Sequence, residues 1–264
     1  MIKFFRKIRQ RLLAKNNFRK YLLYATGEIV LVVIGILIAL SINNWNENRK
    51  ERLQETVILR QLRTEFKSNL QQLDQKISSK KEAIHSALQL LKYIDFPDLR
   101  DKDSIDYHIA RTIPYTTFDP VVNDLAGSGD LKIIKNDSLK QKLSYWTSEI
   151  ADVREDDMSW KEYRNNAYVP FLVAHYQLRT IRNAAYSTNV LGKYLIEDDT
   201  KGLSPEIGVT RHPEDYNALL NHPDYEDHLE RCFTKNVHAL NQSEVLRNRI
   251  VEILDLLNDA IRAR

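Results

Sequence analysis

Cysteine is all but missing: Cys232 is the only one in 264 residues. No disulfide within the chain can brace it, so stability has to come from packing, and Cys232 itself reads as a buried helix position. Glycine and proline are scarce, seven of each, which excludes collagen-like, low-complexity and turn-rich all-β architectures and leaves a helical composition. Acidic residues are absent from the first 27 positions, while Lys3, Arg6, Lys7, Arg9, Arg11, Lys15, Arg19 and Lys20 stand there. The net charge of +3 therefore sits at the front, and the remainder is mildly acidic, which argues against a nucleic-acid partner.

Long apolar runs are absent too, with one exception. Residues 21–44 hold a stretch of roughly 22 residues without a basic side chain, about 33 Å of helix, enough to cross a bilayer. The lipid bilayer is thus the first expected partner. Cations before the span and the run Asn43-Asn44-Trp45-Asn46-Glu47 after it predict a cytoplasmic N-terminus and an external C-terminal part. Trp45, with Tyr21 and Tyr24 at the other end, is placed as an interfacial aromatic. Ala39-Leu40-Ser41 has the small-x-small form of a signal cleavage site, yet the length of the run and the helical pattern continuing past Ser41 favour an uncleaved anchor. Glu28 is the one acid inside the span, about two turns in, within reach of the headgroups by snorkelling. Gly35 and Ala39 form a small-xxx-small pair that offers a packing face for a second copy. Residues 1–20 add an apolar stripe, Phe4, Phe5, Ile8, Leu12 and Leu13, among cations, as in helices that lie on an anionic leaflet.

Residues 45–264 read as one external helical domain. Leu59, Leu62, Phe66, Leu70, Leu73, Ile77, Ile84, Leu88 and Leu91 predict a long bundle or coiled-coil helix, with no glycine or proline between Gly35 and Pro97 to separate it from the span. Pro97 ends it, and a short helix over 104–112 follows, capped by Asp103 or Ser104. A second long helix is expected over 137–168, with Leu139, Leu143, Trp146, Ile150, Val153 and Trp160 on one stripe, a kink or restart at Pro170 and helix again over 171–185. Leu240, Leu246, Ile250, Ile253, Leu257 and Ile261 mark a terminal helix. Pro213 and Pro223, each followed by acids, predict two short helices before it. The fold class is all-α: one transmembrane helix followed by a helical bundle.

Between the first two long helices lies an aromatic loop bounded by Pro114 and Pro120, continuing through a restart over 121–126 to Gly127-Ser128-Gly129. Tyr115, Phe118 and Ser128 either plug and turn the bundle or form an interaction loop for a protein partner. Ser128 lacks the Gly-x-Ser-x-Gly spacing of a nucleophile elbow, and no lysine completes a phosphate loop. His212, His222, His228 and His238 are close in sequence but not at the i, i+4 spacing of a helical metal pair. No catalytic residue, cofactor site or metal site emerges.

The opening run Met1 to Arg9 (MIKFFRKIR), the span Gly27 to Leu40 (GEIVLVVIGILIAL), its exit Asn43 to Glu47 and the run Ser128 to Asn136 (SGDLKIIKN) resemble an uncharacterised family of single-pass membrane proteins from flavobacteria and their relatives. The resemblance implies a bacterial inner-membrane anchor and a periplasmic helical domain, and brings no activity, ligand or site residue. The expected function is a non-enzymatic, membrane-tethered protein working through contacts with envelope proteins or with copies of itself. A ligand-sensing domain signalling through a partner stands second and a periplasmic hydrolase last.

Overall fold

In the computed structural model, described over residues 18–121, 130–187, 207–208, 210–212 and 215–263, every regular element is helical. The α-helices are α1 (Phe18–Asp95), α2 (Lys102–Thr112), α3 (Asp137–Tyr163), α4 (Val169–His175), α5 (Leu178–Ser187), α6 (Tyr216–Leu220) and α7 (Pro223–Arg262). A π-helical turn, Arg164–Tyr168, joins α3 to α4. The chain divides into two compact units, Met1–Val57 and Ile58–Arg264. In the first, α1 is the described element, and its side chains over 29–42 are exposed all round.

The second unit is built on the heptad pattern of α1. Leu59, Leu62, Phe66, Leu73, Ile77, Ala83, Ala87 and Leu90 are buried, but so are Asn69 and Lys80, which fill heptad positions that apolar residues vacate. Ile84 is therefore only half-buried and Leu88 lies outside, 45% exposed. The expected stripe fails there because the seam keeps its seven-residue period while the apolar residues drift from it.

Two hydrophobic cores result. In the first, Leu59 to Ile77 of α1 pack with Leu139, Leu143, Trp146, Ile150 and Val153 of α3 and Leu246 to Leu257 of α7, with Phe118 and Ile134 closing it. In the second, Ala87 and Leu90 meet Trp160, Tyr168, Leu172, Tyr225, Leu229 and Cys232, together with residues of α2, α5 and α6. Reading along the helices, α1 and α3 both pass from the first core to the second, whereas α7 returns. Parallel neighbours need a crossover, of which residues 113–121 and 130–134 are the described parts.

Several boundaries differ from the sequence expectation. Asp101, not Asp103 or Ser104, caps α2: its carboxylate accepts from the Ser104 amide at 2.9 Å. Asn136 caps α3, accepting from the Leu139 amide. Pro170 stands in the first turn of α4, where the α-helix restarts as expected. The π turn ahead of it bonds the Val169 amide to the Arg164 carbonyl, and this wider turn makes room for a ring that has no N–H to give. The break comes at Tyr176, whose backbone is extended (φ −146°, ψ −179°). Pro223 starts no short helix; it opens the 40-residue α7 with Asp224 and Glu226 in its first turn. Asn236, Ala239 and Ser243 carry the buried face of α7 through the stretch where apolar residues are sparse. The helix expected at Pro213 reaches residues outside those described, and α6 begins at Tyr216 under an Asp215 cap.

Trp146 and Trp160 are both buried, at 4% and 2% exposure. Trp146 lies against Phe66 with ring centroids 4.9 Å apart. Trp146→Ala is expected to cost about 3–5 kcal/mol, the usual range for a packed aromatic reduced to alanine, measured by chemical denaturation of the full chain in detergent micelles.

Candidate functional site: a buried polar layer and the strap it holds

Between the two cores, each long helix turns a polar side chain inward: Lys80 from α1, Asp157 from α3 and Ser243 from α7, with Asn236 nearby. Lys80 Nζ stands 2.7 Å from Asp157 Oδ1, and the two side chains are 3% and 0% exposed. The same ammonium donates to Ser243 Oγ at 2.8 Å, and that hydroxyl donates in turn to the Ala239 carbonyl at 2.7 Å. Burial pushes the Asp157 carboxyl above the ordinary aspartate range, while Lys80 and the Phe118 amide pull the other way. One charge from each of two helices thus meets in a layer that apolar packing would otherwise fill.

The second carboxylate oxygen of Asp157 reaches outside the helices and accepts from the Phe118 amide at 3.0 Å. Phe118 belongs to the non-helical segment 113–121, a strap running back along the bundle. Other side chains grip its backbone. Asn69 both donates to and accepts from Val121, each at 3.0 Å, and Gln72 does the same to Asp119 at 3.2 and 3.3 Å. Arg164 Nε donates to the Ile113 carbonyl at 2.6 Å, and the Trp160 indole points at that of Pro114 at 3.4 Å. Upstream, Arg111 of α2 pairs with Glu82 at 2.8 Å. From Glu82 back to Asn69, α1 covers about 20 Å, more than the roughly 15 Å a helix over Arg111 to Val121 would span. Only a more extended chain bridges it, and an extended chain leaves its amides and carbonyls unpaired unless side chains take them.

The expected site residues fall into three groups. Phe118 is a plug, 1% exposed within the first core. Tyr115 is not: it is 36% exposed at the surface, with Lys161 and Arg164 over its ring at 5.2 and 5.5 Å. The expectation that both plug the bundle is therefore corrected for Tyr115. Ser128, with the restart over 122–126 and the glycines beside it, lies outside the described residues. In the first unit, Glu28 is half-buried, while Ala39 and Trp45 are exposed and a Cβ on Gly35 would meet nothing within 4 Å. The apolar-stripe reading missed Asn69, Lys80 and Asp157. A skipped heptad position was their one signal.

A second cluster holds α4 against the start of α7. Tyr168 and Thr112 share a hydroxyl hydrogen bond of 2.6 Å, and Tyr176 donates to Asp106 at 2.6 Å. The Phe171 ring lies 4.6 Å from those of His175 and His228 and 5.0 Å from that of His222. His222 is spent as the cap of α7, accepting from the Asp224 amide, and His228 shares a 2.9 Å hydrogen bond with Tyr163. His212 and His238 are exposed. Among the described residues no group of three His, Cys, Asp or Glu side chains is placed to hold a metal ion. Cys232 is buried, and burial pushes its thiol far above the ordinary range, so it is an inert core residue. The pKa of His108, buried beside His85 and Arg111, is lowered to about 4, chiefly by that burial.

With the geometry in view, residues 28–144 match the model of a family of unknown function, DUF6090. No curated protein and no solved structure matches the chain. The matched segment takes in Lys80 and the strap and stops short of Asp157.

Phe118 and Tyr115 are expected to behave oppositely. Phe118→Ala should lower the stability of the full chain in micelles by about 3–5 kcal/mol, whereas Tyr115→Ala should change it by less than about 1 kcal/mol. Equal losses from both in denaturant titrations would show that the strap is a single structural plug.

Proposed function

We propose that this chain is a membrane-anchored helical protein whose C-terminal unit faces the periplasm and acts through contacts with envelope proteins or with further copies of itself, not through catalysis. The observation that carries the reading is the apolar stretch of α1. It is long enough to span a bilayer, and no residue of its most apolar 18-residue window is buried by protein. A helix that is apolar on every side and unburied is at home only in lipid, where its backbone is satisfied internally. The basic residues ahead of it support a cytoplasmic N-terminus and an inner-membrane anchor. Gly35 and Ala39, on the open face of this helix, are the positions at which a second copy would approach.

The non-catalytic part of the reading is supported by how the polar side chains are used. Asn69, Gln72, Asp157 and Arg164 are engaged with strap backbone, and Lys80 with Asp157 and Ser243. Tyr115 is the strap aromatic left at the surface, flanked by two cations, and is the position assigned to partner contact.

A reporter that is active only in the periplasm, fused after Arg264, is expected to be active, and the same reporter fused near Lys20 inactive. Activity at Lys20 would reverse the orientation. A purified membrane form lacking residues 1–41 would replace the anchor with a cleaved signal.

A further inference from the structure

A small cavity lies beside the polar layer, where the strap crosses α1, α3 and α7. Its walls include Lys80, Ala83, Pro114, Thr116, Asp157 and Asn236, and its volume is about 10 Å³. Two oxygens on it have acceptor capacity to spare. Thr116 Oγ1 is shut off from solvent and has no hydrogen-bond partner. Asp157 Oδ1, on a side chain with 0% exposure, is paired with Lys80 Nζ at 2.7 Å and keeps a second lone pair for another donor. Buried oxygens of this kind are rare and are normally met by protein or by ordered water.

Size and charge narrow what fits. A space of about 10 Å³ suits one water-sized centre. A cation would face the Lys80 ammonium, and an anion would face the Asp157 carboxylate. An apolar occupant would leave the Thr116 hydroxyl unpaired and the second lone pair of Asp157 Oδ1 unused. The species that satisfies them is neutral, the size of water, and able to donate twice. We infer that this cavity is a binding site for a single ordered water molecule, which donates to Asp157 Oδ1 and Thr116 Oγ1 and so ties the strap to the polar layer at Thr116 as the Phe118 amide ties it at Asp157. Two-point attachment to one carboxylate explains why the strap carries a threonine here: its hydroxyl supplies the oxygen that the bridge needs on the strap side.

The test uses the full chain in detergent micelles and counts long-lived interior waters by oxygen-17 magnetic relaxation dispersion. Wild type and Thr116→Ser should show the same count, and Thr116→Val one fewer. Equal counts in all three, or a loss in Thr116→Ser as large as in Thr116→Val, would overturn the inference. Crystals of the wild type give a second reading that needs no variant. Density for one water within hydrogen-bond distance of both oxygens is the expected result. A dry cavity, at a resolution that orders other interior waters, would overturn it.

Discussion

The pairing of Lys80 with Asp157 is the constraint on which the helical unit turns. The two side chains come from parallel helices and meet where both cores stop, so their contact sets the height of α1 against α3. Ser243 ties α7 to the same point through the Lys80 ammonium. Burying two charges is costly, and the upward push on the Asp157 carboxyl shows that Lys80 does not fully offset the loss of water. Net stability is therefore a poor explanation for the pair. Alignment is a better one, because a slip of one turn along either helix would bury an unpaired charge, whereas two purely apolar seams tolerate such slips.

The strap follows from that alignment. Parallel α1 and α3 demand a return path, and a return path on an extended chain demands side chains that take its amides and carbonyls. Asn69 and Gln72 do so from α1 and Asp157 and Arg164 from the other side, so two of the polar residues that interrupt the apolar stripes, Asn69 and Asp157, each have a backbone partner. The surface ion pairs along the bundle, such as Lys81 with Glu244 and Arg249 with Glu149, add little individually and leave the arrangement to the buried layer.

Much of this was legible in the residues. The long helices, the all-α class and the burial of Trp146, Trp160 and Cys232 follow from apolar spacing, a local signal. What local signals could not carry was pairing across distance. Lys80 reads as a solvated lysine until Asp157, 77 positions later, is known to face it. The start of α7 was read as a short helix because Cys232, Asn236, Ala239 and Ser243 are small or polar, yet small side chains are what lets helices approach at a crowded layer. The restart at Pro170 was legible, but the π turn before it is a response to its surroundings that no propensity scale contains. Tyr115 and Phe118, three residues apart on one loop, carry the same aromatic label, and only the path of the strap separates plug from surface.

A double-mutant cycle on Lys80 and Asp157, read by denaturation of the full chain in micelles, tests the alignment claim most directly. Lys80→Met and Asp157→Leu should each cost about 3–5 kcal/mol, since each strands one buried charge, whereas the double variant should lose far less than their sum. Single losses below about 1 kcal/mol that simply add would show two independent side chains and would contradict the account.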